Sequence, residues 1–271
     1  MSTVEDDIND QIKKFEDILE KFNNININEP VLEIYSLPSS INIEKLKDEV
    51  KKYIESRLDF YKNSKRNLYI EDEFSEYWLS KVSNGTEIGK GSGGMDVKTS
   101  NNEGIDAMCV IMNSIQSNEK SLIQNFDSAG VNLDDLFLNK KDDEAIKLYI
   151  DVYKNKILKI KKDKNLSDLY IIAFISTKNK IYLTCFKLNI NNIKNIKSNG
   201  FTKTEKNIKI SNFIDDKYGI VTLYKSKKRI ELRLKIECIH NPFTQLLFSN
   251  DNNLSEISST TGTDIALPDN L

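Results

Sequence analysis

Residues 89–112 read GKGSGGMDVKTSNNEGIDAMCVIM, and the fold turns on how that stretch is threaded. Glycines crowd its start. Met95–Thr99 and Ile105–Met112 are β-prone runs, and the polar Ser100–Gly104 lies between them. Ser-Asn-Asn-Glu-Gly in that position closes a hairpin. With the turn centred near Asn101, Asp96 faces Asp106 across the ladder, and Lys98, two residues from Asp96, shares its face of the pleat. Two directly opposed carboxylates repel unless something positive sits between them. A divalent cation is the expected neutraliser, with Lys98 assisting.

The hairpin sits in a chain of 271 residues, enough to bury a core as one large domain or two small ones. With 39% hydrophobic and 30% charged residues the composition is that of an ordinary soluble protein. No apolar run approaches the roughly 18 to 20 residues that span a bilayer. The acidic start MSTVEDDIND lacks the apolar segment of a signal peptide. Cys109, Cys185 and Cys238 are widely spaced in apolar runs, without a zinc or disulfide pattern, and read as reduced core residues of a cytoplasmic protein. The near-neutral total hides an asymmetry. Acids outnumber bases 18 to 11 over residues 1–80, and bases outnumber acids 21 to 7 over residues 151–236. That split suggests a basic half facing a polyanion.

Residues 5–23 are predicted as an amphipathic helix with Ile8, Ile12, Phe15, Leu19 and Phe22 on one face. Val31–Leu37 is a short strand, Ile43–Tyr61 a second helix and Glu71–Val82 a third, with Phe74, Tyr77, Trp78 and Val82 inward and Glu76 beside them. A helix is expected over Ser117–Phe126, and a long one over Asp143–Ile160, capped by Asp142. Strands follow at Leu169–Ser176, Lys180–Leu188, Asn207–Phe213, Tyr218–Tyr224 and Arg229–Ile236. In the last of these the alternation turns Arg229, Glu231, Arg233 and Lys235 to solvent. The chain from Ser249 on is polar and reads as a tail.

Gly89, Gly91 and Gly94 match G-x-G-x-x-G, but a dinucleotide fingerprint needs a strand before and a helix after, the reverse of the order here. A phosphate loop needs four residues between Gly85 and Gly89-Lys90, and there are three. The glycines instead permit a flexible loop or a close backbone approach. The single histidine, His240, has no partner motif and reads as structural.

An acid, a gap, then acid-x-Lys on a strand resembles the active-site pattern of the PD-(D/E)xK nucleases, over about forty residues from Glu71 to Met112. The resemblance implies an α/β fold (α+β, mixed sheet): a restriction-endonuclease-like core at 67–248, N-terminal helices at 1–66, a strand-rich C-terminal half and a polar tail at 249–271. It implies Asp96, Lys98, Asp106 and Glu76 as catalytic residues, Asp96, Asp106 and Glu87 as ligands of Mg²⁺, and DNA as substrate. The sequence departs from the pattern where Asp106-Ala107-Met108 stands for acid-x-Lys, so either Lys98 serves from the first strand, or Asp96-Val97-Lys98 is itself that half and Glu87 the earlier acid. Glu49-Val50-Lys51 also matches acid-x-Lys, but inside a helix, where residues two apart do not share a face. The expected activity is that of a restriction or defence endonuclease, a homodimer when it cuts both strands. A non-catalytic nucleic-acid-binding or assembly module, or an RNase on the same fold, is the alternative.

Overall fold

The computed structural model describes residues 29–64, 67–89, 94–112, 120–121, 133–200 and 204–250. Strand β1 (Leu32–Tyr35) leads to helix α1 (Ile43–Glu55), whose N-cap Asn42 accepts a hydrogen bond from the Lys45 amide at 3.0 Å. Leu46, Val50, Tyr53 and Ile54 form its buried stripe. The periodicity predicts one helix as far as Tyr61, but a break at Ser56–Arg57 starts a separate α2 (Leu58–Ser64). There the Ser56 hydroxyl donates back to the Tyr53 carbonyl at 2.7 Å, and the Arg57 guanidinium lies 3.9 Å from the Tyr53 ring centre. Helix α3 (Asp72–Val82) carries Asp72 and Glu73 in its first turn, where the helix dipole favours them.

Three antiparallel strands follow as a meander: β2 (Thr86–Glu87), β3 (Val97–Lys98) and β4 (Gly104–Ile111). A two-residue β5 (Lys120–Ser121), a short α4 (Asp134–Leu138) and the 22-residue α5 (Asp142–Asp163) lead to the hairpin of β6 (Leu169–Ser176) and β7 (Lys180–Leu188). The remaining strands are β8 (Lys197–Ser198), β9 (Asn207–Ser211), β10 (Gly219–Tyr224), β11 (Arg229–Leu234) and β12 (Gln245–Ser249).

Seven strands form a mixed sheet in the order β1-β7-β6-β4-β3-β2, with β12 pairing the part of β7 that β1 leaves open. Within it β4 and β6 run parallel through eight residue pairs, from Gly104–Leu169 to Ile111–Ser176. A second, antiparallel sheet runs β8-β9-β10-β11, with β5 at its edge. Every residue of β6 is buried, as a strand covered on both faces must be. Ile171, Ala173 and Ile175 meet α5 and the second sheet on one side. On the other, Ile172 and Phe174 pack with Leu46 and Ile54 of α1 and with Trp78 and Leu79 of α3. The protein is thus a mixed α/β protein, with helices on one face of the large sheet and α5 plus the small sheet on the other. Among the described residues no helix is long and apolar enough to cross a membrane.

Several expectations need correction. In α3 the inward residues are Ser75, Trp78, Leu79 and Val82, whereas Tyr77 is 49% exposed. Lys120–Ser121 pairs with β11, so a helix does not run unbroken over 117–126. Asp142 lies in the first turn of α5 rather than at its cap, which is Lys141. Glu231, expected in solvent, is fully buried beneath Arg229 and Lys227, which reach it at 2.7 and 2.8 Å. The helix expected over residues 5–23 and most of the polar tail lie outside the described residues.

Because Phe174 is fully buried at the centre of the large sheet, Phe174→Ala should cost about 3–5 kcal/mol, read as a lower denaturation midpoint at unchanged slope.

Candidate active site at the edge of the mixed sheet

Val97 pairs with Ile105, and Lys98 with Gly104. The paired register ends at Val97–Ile105, and Asp96, the residue before it, falls out of step, so the opposition of Asp96 and Asp106 expected from the turn is not part of the paired ladder. Both are half-buried. The strand ladder is irregular here. The Asp96 amide donates to the Ile105 carbonyl at 2.8 Å, and the Asp96 carbonyl accepts from the Ile88 amide at 2.7 Å. The Asp96 carboxylate (Oδ2) accepts from the Ala107 amide at 2.8 Å. A side chain thus takes a main-chain position in the ladder, which orients it firmly.

The glycine-rich entry makes this possible. A Cβ on Gly89 would stand 2.7 Å from the Met95 carbonyl oxygen and 2.9 Å from the Asp96 Cα, so only glycine lets the chain leaving β2 pass this close. Gly94 has φ +83°, a conformation that L side chains rarely adopt. It lies beside an α5 side chain: a Cβ there would be 3.5 Å from Lys156 Nζ. Gly91 lies outside the described residues.

Helix α5 brings two groups to Asp106. The buried Tyr153 hydroxyl has its pKa pushed up, by burial first and then by the Asp106 charge. Half-buried Lys156 has its pKa drawn down by burial, while the Asp106 carboxylate holds it up. Nothing in the sequence pattern pointed to Lys156. It lies in a lysine-rich helix some fifty residues from Asp106, and only the packing of α5 on the sheet brings them together. Lys98, which the strand pattern favoured, donates instead to the Lys164 carbonyl at 2.8 Å, just past the end of α5. Lys164 is eight residues beyond Lys156, roughly 12 Å along the helix.

Glu76 on α3 has its carboxyl pushed above the ordinary range by partial burial, then by the negative charges of Asp96, Asp72 and Glu87. Glu87 is exposed on β2 opposite Val97, so its side chain leaves the sheet on the α3 face. Among the described residues no three His, Cys, Asp or Glu side chains form a ready metal-binding group. The third carboxylate of the expected shell is therefore not gathered with Asp96 and Asp106. Elsewhere, all three cysteines are buried and outside any disulfide, and burial pushes the Cys238 thiol up to about 12, far from nucleophilic. His240 is exposed. The turn around it is held by Asn241, whose amide donates to Thr244 Oγ1 at 2.7 Å, which fits a structural reading of that segment.

No protein-family model matches the sequence, and no curated protein or solved structure is significantly similar to it.

A carboxyl whose pKa is higher folded than unfolded stabilises the protein below its unfolded value, and that contribution is lost as pH rises through the folded value. Glu76→Gln should therefore raise the melting temperature at neutral pH, with the gap closing below about pH 4.5, the ordinary value for Glu. Thermal melts across that range check this, and an equal shift at every pH would contradict it.

Proposed function

We propose that the protein is a magnesium-dependent nuclease of restriction-endonuclease-like type, hydrolysing phosphodiester bonds of DNA. The observation that carries this reading is the Asp96 carboxylate fixed by the amide of Ala107, the residue next to Asp106, with Lys156 beside Asp106. The surrounding order of elements supports it: a helix carrying Glu76, a three-strand meander carrying both aspartates, then a crossover helix and a parallel strand.

The donor set fits magnesium, which proteins commonly hold through one or two carboxylates with substrate phosphates supplying further oxygens. Asp96 and Asp106 are the residues that would hold it, with Glu76 or Glu87 at the margin. When bound, the ion lowers the pKa of a coordinated water and offsets charge on the phosphoryl oxygens. The rest falls to the chain. Asp96 needs no reorientation, because the Ala107 amide already fixes its carboxylate. Lys156 presents a positive charge beside Asp106, and partial burial limits its screening by water. Glu76, held above the ordinary carboxyl range, suits the role of general base for the attacking water. Lys98 holds the end of α5 in place and thereby helps position Lys156. Cutting both strands of a duplex would call for two such subunits related by two-fold symmetry.

With plasmid DNA, cleavage should require Mg²⁺ and stop in EDTA. Asp96→Asn should reduce it at least about 100-fold, the scale set by loss of a preorganised electrostatic group. Its circular dichroism and its DNA binding in EDTA should be retained. Mg²⁺ should also raise the melting temperature of the wild type but not of Asp96→Asn. Cleavage of RNA in place of DNA would change the substrate and keep the chemistry. No magnesium-dependent hydrolysis of either, or an Asp96→Asn variant as active as the wild type, would sink the proposal.

A further inference from the structure

Part of the positive charge in the C-terminal half is held within the protein by ion pairs. Lys187 reaches Asp168 at 2.9 Å, Lys209 reaches Asp216 at 2.7 Å, Lys225 reaches Asp142 at 2.9 Å and Lys228 reaches Asp134 at 3.0 Å. Arg229 and Lys227 converge on the buried Glu231. An ion-paired cation offers little net charge to a polyanion. Attention therefore falls on lysines that pair with no acid among the described residues, and four of them line one groove.

That groove, about 530 Å³, runs between α5 and the 3-10 turn Ile190–Asn195 with β8 behind it. Lys147 and Lys154 stand on its α5 wall, and Lys194 and Lys197 on the other. Ile146, Ile150 and Ile196 form a buried apolar floor. Two acids share the space, and one of them, Asp143, already accepts a hydrogen bond from the Ser198 hydroxyl. Asp151 is the other, so the lining charge is four positive against two negative. Long ammonium side chains facing one another across an open channel, above apolar surface, suit a chain of evenly spaced anions better than a single small one.

We propose that this groove binds the phosphodiester backbone of a nucleic acid. It deepens the nuclease reading by saying where the substrate lies, and rests on that reading for the choice of a nucleic acid over other polyanions. Lys147 and Lys154, seven residues apart, share one face of α5, and Lys156 lies on the opposite flank. The two flanks are about one helix diameter apart, roughly 10–12 Å. The major groove of a DNA duplex is also about 12 Å wide, so a duplex crossing the back of α5 can place phosphates on both sides of the helix.

The test is binding of a fluorescein-labelled DNA duplex in EDTA, by anisotropy, over a series of salt concentrations. Neutralising all four lysines (K147A/K154A/K194A/K197A) should lower the slope of log affinity against log salt by about 3 to 4, since each lost phosphate contact removes about 0.9. A control losing four exposed lysines elsewhere (K45A/K51A/K62A/K178A) should keep the slope, and circular dichroism and thermal melts show whether both variants are folded. Equal effects of the two quadruple variants, an unchanged slope in the groove variant, or no binding of the duplex by the wild type would each overturn the groove. Failure of the nuclease reading shows itself separately, as absence of magnesium-dependent cleavage by a protein that still binds DNA through these lysines.

Discussion

The parallel pairing of β4 with β6 is the constraint on which the rest depends. Adjacent parallel strands need a crossover of a dozen or more residues, usually a helix, because the chain must return to the end where it started. Here α5 makes the return and lies on the sheet, with Tyr149, Tyr153 and Ile157 buried against it. Tyr149, Tyr153 and Lys156 fall at i, i+4 and i+7, one stripe of a helix. Once the two tyrosines are packed, the helical repeat carries the lysine along the same line toward the edge of the sheet, where Asp106 is. The core decides where that ammonium goes.

The site is built under electrostatic tension. Partial burial, and then the charges of Asp96, Asp72 and Glu87, raise the cost of ionising Glu76 at the sheet edge. A surface of that sign repels a phosphate backbone. A bound cation would offset part of the repulsion, and Lys156 another part, but both would act only at short range in salt. Long-range attraction has to come from positive charge that the protein does not neutralise itself. This is why the distribution of ion pairs says more than the net charge of the C-terminal half. Bases exceed acids there, yet most of the cations on the small sheet hold carboxylates, two of them from α4 and α5. Those left to meet a partner include the lysines of the α5 groove.

The parts of the structure that were legible in the sequence are those governed by local chemistry. The Ser100–Gly104 turn fixed the hairpin pairing of Val97 with Ile105 and of Lys98 with Gly104. The apolar run at β6 and the Thr177-Lys178-Asn179 turn gave that hairpin to the residue. What escaped was set at a distance. Alternation alone sends Glu231 to solvent, yet it is fully buried, with Arg229 and Lys227 drawn onto its carboxylate. The polarity around Ser249 suggested a tail, yet β12 ends there because β7 leaves an edge open to it. The break between α1 and α2 has no glycine or proline to announce it. It follows from side chains that bond back to their own turn.

Lys98 and Lys156 show the same division within the site itself. Strand periodicity predicts that Lys98 shares a face with Asp96. A strand residue's neighbours across that face, however, are whatever packs above it, and above Lys98 lie the last carbonyls of α5. Those carbonyls carry the partial negative charge of a helix C-terminus and have no N–H donor within the helix, so they draw the nearest ammonium. The lysine two residues from the acid is thereby spent on anchoring the helix, and the helix in turn delivers a different lysine to the second acid. An acid-x-Lys spelling fixes which residues share a face. Which cation meets the carboxylates depends on the layer above, and here that layer supplies Lys156.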